Sequence, residues 1–119
     1  MDFKSLEKKW QQRWKQAKVF TASAAGKKKW FNLEMFPYPS STGLHMGHAF
    51  NYVLGDIYAR FKRMHGFSVL YPMGYDAFGL PAENAAIKAN SHPKPYTEQA
   101  IKNFIVQQQA LGLSYDLER

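Results

Sequence analysis

The residues best able to do chemistry stand close together, as His45 and His48 on either side of Gly47. They fall where a turn is predicted to give way to a helix, whose free N–H groups and positive dipole end already suit an anion. Two imidazoles donating hydrogen bonds there would stabilise negative charge building on a phosphate. Glycine at 47 would let the adenine or ribose of a nucleotide lie against the backbone, and Gly43 suits a turn passing beneath a ligand.

These histidines also have simpler explanations. A single histidine at a helix start commonly caps the helix or lies on the surface, which would account for His45 without a ligand. A metal site is a second alternative, but a zinc-binding pair normally sits four residues apart on a helix or brings further ligands, and only His65 and His92 remain. The pair with Gly47 therefore favours an anion site, and no protein-bound zinc is expected.

A short strand is predicted immediately before this turn. Residues 30–35 are rich in strand formers and alternate apolar Phe31, Leu33 and Met35 with polar side chains. The prolines that follow prevent its continuation as a central strand and impose an extended turn.

A helix and a second strand are predicted after the turn. Residues 47–64 have helical periodicity, and Asp56 stands four residues before Arg60 as a helix-surface pair. The apolar positions are Val53, Ile57, Phe61 and Met64. Gly66 can end the helix in the left-handed conformation, and residues 67–71 form a β-prone run. Strand, helix and strand together predict a βαβ unit with parallel strands.

An amphipathic helix is predicted over residues 2–18, upstream of the βαβ unit. Its apolar face carries Phe3, Leu6, Trp10 and Trp14, and we expect it to dock through its tryptophans. Residues 21–29 are small, then basic, and are expected to form an exposed connector.

Two further helices are predicted downstream. Pro81 suits the first position of a helix over 82–89, and Pro93 and Pro95 separate it from a last helix that Thr97 would cap. The apolar residues of the last helix are Ile101, Phe104, Ile105 and Leu111, and Gly112 would stop the helix.

Composition narrows the class of protein. The 119 residues suit one domain with a real core, and a formal charge of +7 suits a polyanionic partner or simply a solubilising surface. There is no cysteine, which excludes disulfides and thiolate metal sites. The first 20 residues lack the apolar core of a secretory signal, and no run is long enough for a membrane span, so a cytoplasmic protein without membrane contact is expected.

Several separated motifs carry a resemblance to a known family. His45-Met46-Gly47-His48 resembles the HIGH signature of class I aminoacyl-tRNA synthetases. The Met-Phe-Pro-Tyr-Pro-Ser run at 35–40 and the Pro-Met-Gly-Tyr-Asp-Ala-Phe-Gly-Leu-Pro-Ala-Glu-Asn run at 72–84 are similar to leucyl-tRNA synthetases of the bacterial type. Phe78 stands where the isoleucine and valine relatives commonly have histidine. Tyr75 departs from the family, which usually has tryptophan there.

This resemblance implies a fold and a division of the chain. The fold would be α/β, a Rossmann-like (HUP-type) parallel βαβ nucleotide-binding half-domain with an N-terminal amphipathic helix. Residues 1–29 would form a helical extension and basic linker, and 30–119 the incomplete first half of the catalytic domain. The chain would be an N-terminal fragment, because the KMSKS loop, the editing domain and the anticodon-binding region need more than 119 residues.

The same resemblance implies roles for individual residues. His45 and His48 would be catalytic, and no residue would bind metal directly. ATP would contact Gly43, His45, Gly47, His48 and Asn51, whereas leucine would contact Met35, Phe36, Tyr38, Asp76 and Phe78. Asp76 would bind the leucine ammonium group, although an aspartate in this setting is also an ordinary turn former.

The implied activity is ATP-dependent activation of leucine, with Mg²⁺ accompanying ATP, and transfer of the leucyl group to tRNA(Leu). Its partners would be tRNA(Leu), leucine, ATP and the remaining C-terminal part of the synthetase. An open sheet edge could also pair with a second copy of the chain. Two alternatives stay open: a small His-x-Gly-His nucleotidylyltransferase, and a non-catalytic nucleotide- or RNA-binding module.

Overall fold

A parallel strand–helix–strand unit forms the centre of the fold. The computed structural model describes residues 1–25 and 28–119, so part of the predicted basic linker lies outside the described residues. The elements are α1 (Phe3–Gln16), β1 (Lys29–Phe31), α2 (Met46–Met64), β2 (Ser68–Leu70), α3 (Leu80–Lys88) and α4 (Pro93–Ala110). β1 and β2 pair in parallel, with Trp30 opposite Val69. The predicted βαβ unit is confirmed.

The strand β1 is shorter than predicted, and the apolar side chains that alternate along the segment lie on its exposed face. The ladder ends at Phe31, which is 57% exposed, and Leu33 and Met35 beyond it are exposed as well. Asn32 and Glu34 lie on the covered face instead, and the Asn32 amide donates to a backbone carbonyl of α2 at 3.2 Å. Alternation defines two faces of a strand, but only packing decides which one a helix covers.

Helix α2 covers the predicted residues, but its periodic apolar positions do not form its buried face. The buried residues are Tyr52, Asp56 and Ala59. The four periodic apolar positions are exposed instead: Val53, Ile57, Phe61 and Met64. Tyr71 and Tyr115 from neighbouring segments pack beneath the helix, and the small side chain of Ala59 leaves them room.

The expected surface pair of Asp56 and Arg60 is in fact part of the interior. Asp56 is only 8% exposed, and its Oδ2 accepts from Arg60 Nε at 2.6 Å. Its Oδ1 accepts from the Ser114 backbone N–H at 2.6 Å and from the Ser114 hydroxyl at 2.5 Å. Arg60 Nη2 donates to the Gly112 carbonyl at 2.6 Å. A buried carboxylate is tolerated when its charge is paired and its oxygens are satisfied in this way, and these contacts tie Gly112 and Ser114 to α2.

The hydrophobic core lies between α2, β2 and residues 112–116, which we call the terminal segment. Its buried members are Ala59, Val69, Tyr71 and Tyr115, surrounded by the partly buried Trp30, Phe67, Met73 and Leu113. The Asp116 N–H donates to the Tyr71 carbonyl at 2.7 Å, continuing the chain beside the end of β2.

Helix α1 forms as predicted, with Asp2 as its N-cap, but it docks less than expected. No residue of the helix is buried, and Trp10 is 43% exposed. Trp14 does pack: its ring lies 5.6 Å from that of Phe20 and 5.4 Å from the Arg60 guanidinium. Only one of the two helix tryptophans therefore anchors α1.

Helix α4 starts earlier than predicted. Pro93 is its first residue and His92 its N-cap, with His92 Nδ1 accepting from the Lys94 N–H at 3.2 Å. The expectation that Thr97 caps the helix was wrong, because Thr97 is buried within it. A first-turn amide has no partner inside the helix, so prolines there cost no hydrogen bond.

Helices α3 and α4 pack against each other beside the sheet. Pro81 lies in the first turn of α3, as predicted, and Gly112 has a φ of +70° just beyond α4. Phe104 is fully buried, whereas Leu111 is 47% exposed. No helix in the described ranges is long and apolar enough to cross a membrane.

Candidate functional site

Two loops leave the carboxyl ends of the parallel strands and meet at one edge of the sheet. Pro37 in the first loop is buried, and its carbonyl accepts from the Asp76 N–H of the second loop at 3.1 Å. The prolines stiffen the first loop and keep its backbone out of the ladder. This edge is where open α/β sheets bind their ligands.

The two histidines form a reciprocal cap at the start of α2. His45 is the N-cap residue, and its Nδ1 accepts from the His48 N–H at 3.3 Å. His48 Nδ1 accepts in turn from the His45 N–H at 3.3 Å. The rings stack with their centroids 3.7 Å apart and an interplanar angle of 16°. The simple explanation of His45 as a helix cap is therefore part of the geometry.

This capping fixes which ring nitrogens remain available. A nitrogen that accepts a hydrogen bond carries no proton, so both rings are neutral in this arrangement and protonated at Nε2. Burial lowers the pKa of His48 from its ordinary value of 6.5, and the neighbouring His45 lowers it further. The pair can therefore present two Nε2–H donors beside the positive end of α2 without carrying a charge.

The glycines of this segment make room for side chains. A β-carbon on Gly47 would lie 3.0 Å from His45 Cε1 and 3.1 Å from His45 Nδ1, so glycine leaves the imidazole its place. A β-carbon on Gly43 would lie 2.7 Å from Gln107 Nε2 of α4. Asn51, one turn beyond His48, is partly buried.

An open cleft of about 470 Å³ lies between the two loops. It is lined by Met35, Phe36, Tyr38, Tyr75 and Asp76, which we call the aromatic cleft. Its volume is in the range of small-molecule sites. It brings together most of the residues assigned to leucine by the resemblance. Asp76 is exposed, so its carboxylate is accessible to a ligand cation.

Phe78 differs from the other residues expected at this site. Its side chain is 93% exposed and is not among those lining the aromatic cleft. Gly74 takes part unexpectedly, because a β-carbon there would lie 2.9 Å from Phe36 Cε2. The Phe36 ring thus rests on the Gly74 backbone and forms one wall.

Tyr52 joins the histidine pair to the aromatic cleft. Its ring lies nearly parallel to that of His48, with centroids 5.8 Å apart. Its hydroxyl donates to the Met35 carbonyl at 3.3 Å, and burial raises the pKa of Tyr52 to about 12. The start of α2, which suits an anion, therefore lies next to the cleft, which suits a ligand with an amino group and an apolar side chain.

The family model described as "tRNA synthetases class I (M)" matches residues 34–117. The chain belongs to the class I tRNA synthetases. The match begins just after β1 and spans α2, β2, the histidine pair, the aromatic cleft and the terminal segment that packs on α2. The Rossmann-like half-domain predicted from the resemblance agrees with the parallel two-stranded sheet.

Similar proteins of this synthetase family include leucine–tRNA ligases. That of Chlorobium chlorochromatii strain CaD3 is 55% identical over 99% of this chain and 15% of its own length. That of Desulfotalea psychrophila is also 55% identical, over 99% of this chain and 14% of its own length. The chain thus spans about 15% of the length of the curated relatives it matches.

Solved synthetase structures share the fold. The agnB2 LeuRS of Agrobacterium radiobacter K84, solved as a ternary complex with tRNA and LeuAMS, matches with a TM-score of 0.94 and 44% identity over 98% of this chain and 15% of its own. The methionyl-tRNA synthetase of Mycobacterium tuberculosis in complex with methionyl-adenylate matches with a TM-score of 0.72 and 31% identity over 75% of this chain and 17% of its own.

Sequence reasoning missed several residues that shape this synthetase site. Tyr52 and Gly74 were not singled out, and Tyr75 was noted only as a departure from the family. Tyr75 lines the cleft, donates to Gln108 Oε1 at 2.7 Å, and has its pKa raised to about 12 by burial. The available signal for Tyr52 was its spacing of four from His48, which places both on one helix face.

Glu34 is a second residue whose place was not foreseen. Its side chain lies beneath β1 against Gly55, and its Oε2 accepts from the Tyr115 hydroxyl at 3.4 Å. Burial raises the pKa of Glu34, the hydroxyls of Tyr71 and Tyr115 oppose that effect, and the nearby Asp56 adds to it. Glu34 thus supports the loop that carries Met35 and Phe36.

Residues 1–25 and 28–119 contain no group of three or more His, Asp or Glu side chains placed to hold a metal ion. The candidate site itself offers hydrogen-bond donors, an exposed carboxylate and an apolar cleft.

Proposed function

We propose that this chain is the part of a leucine–tRNA ligase that holds ATP and leucine while leucyl-adenylate forms. The observation that carries this is the His45–His48 pair at the start of α2, with both Nδ1 atoms engaged in the cap, beside the aromatic cleft. The similar LeuRS of Agrobacterium radiobacter K84 was solved with tRNA and LeuAMS, which supports the same ligand classes here.

In the proposed first step, a leucine carboxylate oxygen attacks the α-phosphorus of ATP. A new P–O bond forms, the bond to the β-phosphate breaks, and pyrophosphate leaves with the electron pair. Nε2–H groups of His45 and His48 donate to the phosphate oxygens, where negative charge builds, and the positive end of α2 adds to this stabilisation. ATP enters as its Mg²⁺ complex, which reduces the charge on the phosphates.

The aromatic cleft positions the other reactant. Asp76 accepts from the leucine ammonium group, and Phe36 and Met35 surround the aliphatic side chain. Tyr38 offers a hydroxyl at the rim. Gly43, Gly47 and Asn51 lie along the path that the adenosine would take past the start of α2. In the second step a hydroxyl of the terminal adenosine of tRNA(Leu) attacks the leucyl carbonyl; an ester bond forms, the bond from the carbonyl carbon to the phosphate oxygen breaks, AMP leaves, and the hydroxyl proton passes to solvent.

Leucine is favoured over methionine by the extent of similarity. The leucine–tRNA ligases are 55% identical over 99% of the chain, whereas the methionyl-tRNA synthetase matches 75% of it at 31% identity. Aminoacylation requires the remainder of the enzyme, so we expect little activity from this chain alone. The division into residues 1–29 and 30–119, a cytoplasmic location and pairing of the β1 edge with a second copy are parts of the same proposal.

Pyrophosphate exchange with each of the twenty amino acids tests this function, with and without the remainder of a leucine–tRNA ligase supplied as a separate chain. We expect leucine-dependent exchange in the supplemented reaction, and a loss of about 100-fold in His48→Ala and Asp76→Ala. His65→Ala, at the opposite end of α2, is the matched control and should stay near the original rate.

Two outcomes would count against the proposal. Exchange that is independent of any amino acid would favour a nucleotidylyltransferase. Binding of nucleotide or RNA without exchange, unchanged by His48→Ala and Asp76→Ala, would favour a binding module.

A further inference from the structure

Helix α4 contacts the loop that precedes the histidine pair. Gln107 Oε1 accepts from the Leu44 N–H at 2.7 Å, and Asn103 Nδ2 donates to the Thr42 carbonyl at 3.2 Å. These residues lie more than 60 positions apart in sequence, so the contacts are tertiary. One side of α4 therefore holds residues 41–45, which we call the histidine loop.

The same helix also contacts the aromatic cleft. Gln108 is only 4% exposed, and its Oε1 accepts from the Tyr75 hydroxyl at 2.7 Å. Its Nε2 is buried without a hydrogen-bond partner among the described residues, a costly arrangement that a simple core position would not need. Phe104, fully buried, lies between the two regions, with its ring 6.3 Å from that of His48 and 6.4 Å from that of Tyr75.

We propose that Gln107 and Gln108 are positioning residues: Gln107 fixes the histidine loop, Gln108 fixes the cleft residue Tyr75, and α4 holds the two subsites in register. The inference rests on the function proposed above. Adjacent residues on one rigid helix set the distance between the two contacts. Neither glutamine touches a reactant, so each acts through the group that it holds.

Gly43 belongs to the same arrangement. Its φ is not in the left-handed region, so alanine is compatible with its backbone. The obstacle to a side chain is Gln107, whose Nε2 would lie 2.7 Å from the added β-carbon. Gly43→Ala should therefore act by displacing Gln107 from Leu44, and not by straining the turn.

A double-mutant cycle tests this relation in the chain supplemented with the remainder of the enzyme. Gly43→Ala and Gln107→Ala should each raise the KM for ATP about fivefold, the value expected for one hydrogen bond. The double variant should be no worse than either single variant, because both break the same contact. Fully multiplicative effects would overturn the assignment of Gln107. Gln109→Ala, an exposed glutamine on the same helix, is the matched control and should leave the KM unchanged.

The two glutamines should affect different substrates. Gln107→Ala should raise the KM for ATP and leave that for leucine within about twofold, whereas Gln108→Leu should raise the KM for leucine about fivefold. Tyr75→Phe removes the other side of the Gln108 contact and should not add to Gln108→Leu. A merely structural role would lower kcat or stability without separating the two substrates, and that result would overturn the proposal.

Amide hydrogen exchange at Leu44 separates this inference from the proposed function. If the original chain shows no leucine-dependent exchange of pyrophosphate, the proposed function fails, and the Leu44 amide still decides whether α4 holds the loop. Protection that Gln107→Ala removes and Gln109→Ala retains would support the contact. An unprotected Leu44 amide in the original chain would overturn it.

Discussion

The carboxylate of Glu34 fills the space that a β-carbon on Gly55 would occupy. A glycine inside a helix normally costs about 1 kcal/mol relative to alanine, so replacing it usually stabilises a protein. Here we expect the opposite: Gly55→Ala should lower the free energy of unfolding by about 2 kcal/mol because the added methyl group displaces Glu34. Glu34→Ala in the same chain should restore most of the loss. Urea unfolding measures both, and a stabilising Gly55→Ala would contradict the packing described.

Glu34 should also make stability depend on pH. Its pKa is raised from 4.5 by burial, so folding favours the protonated form. The contribution of such a group is complete below pH 4.5 and is lost as pH rises through the raised pKa. Glu34→Gln, which stays neutral, should therefore gain stability relative to the original chain as pH rises above this value. Unfolding free energies measured from pH 4 to 8 test it, and parallel curves would show that the carboxyl group titrates normally.

His48 should produce a pH dependence of the opposite sign. Its pKa is lowered from 6.5, mainly by burial, so folding favours the neutral ring. Its contribution is present above pH 6.5 and is lost as pH falls through the lowered pKa. His48→Asn keeps an acceptor for the His45 N–H and removes the titration. The stability of the original chain relative to this variant should decline below pH 6.5, and chemical unfolding at each pH would reveal it.

Phe36 and Phe78 give a test of the aromatic cleft. Phe36 lines the cleft, whereas Phe78 is 93% exposed and does not. Phe36→Ala should raise the KM for leucine about tenfold, because an aromatic wall contributes more than 1 kcal/mol of apolar contact. Phe78→Ala should change it by less than about twofold. Supplemented pyrophosphate exchange measures both constants, and equal effects would show that the cleft is not where leucine binds.

Asp56 should be critical for stability although it lies away from the site. Its removal leaves the buried Ser114 N–H and the half-buried Arg60 guanidinium without their acceptor. Asp56→Ala should therefore lower the free energy of unfolding by about 3 kcal/mol. Glu98→Ala, on the exposed side of α4, should change it by less than about 0.5 kcal/mol. Similar losses in the two variants would mean that the Asp56 contacts contribute little.

Local signals predicted the main elements well. Apolar spacing and Gly66 set the extent of α2, since a helix period and a left-handed stop are properties of consecutive residues. The short extended segments on either side of α2 predicted parallel strands, because two neighbouring strands joined by a helix typically run in the same direction. The start of α4 was misplaced because prolines read as breaks also suit a first helical turn.

Local patterns established the βαβ unit and the glycine and histidine signature at the start of α2, and separated motifs pointed to the family. The covered faces followed from the tertiary structure: Glu34 and Asp56 point inward, whereas Leu33 and Ile57 are exposed. It also decided that α4 contacts both the histidine loop and the aromatic cleft. Periodicity depends on neighbours along the chain, but the side that is buried depends on partners from distant segments, whose hydrogen bonds and volumes no local pattern contains.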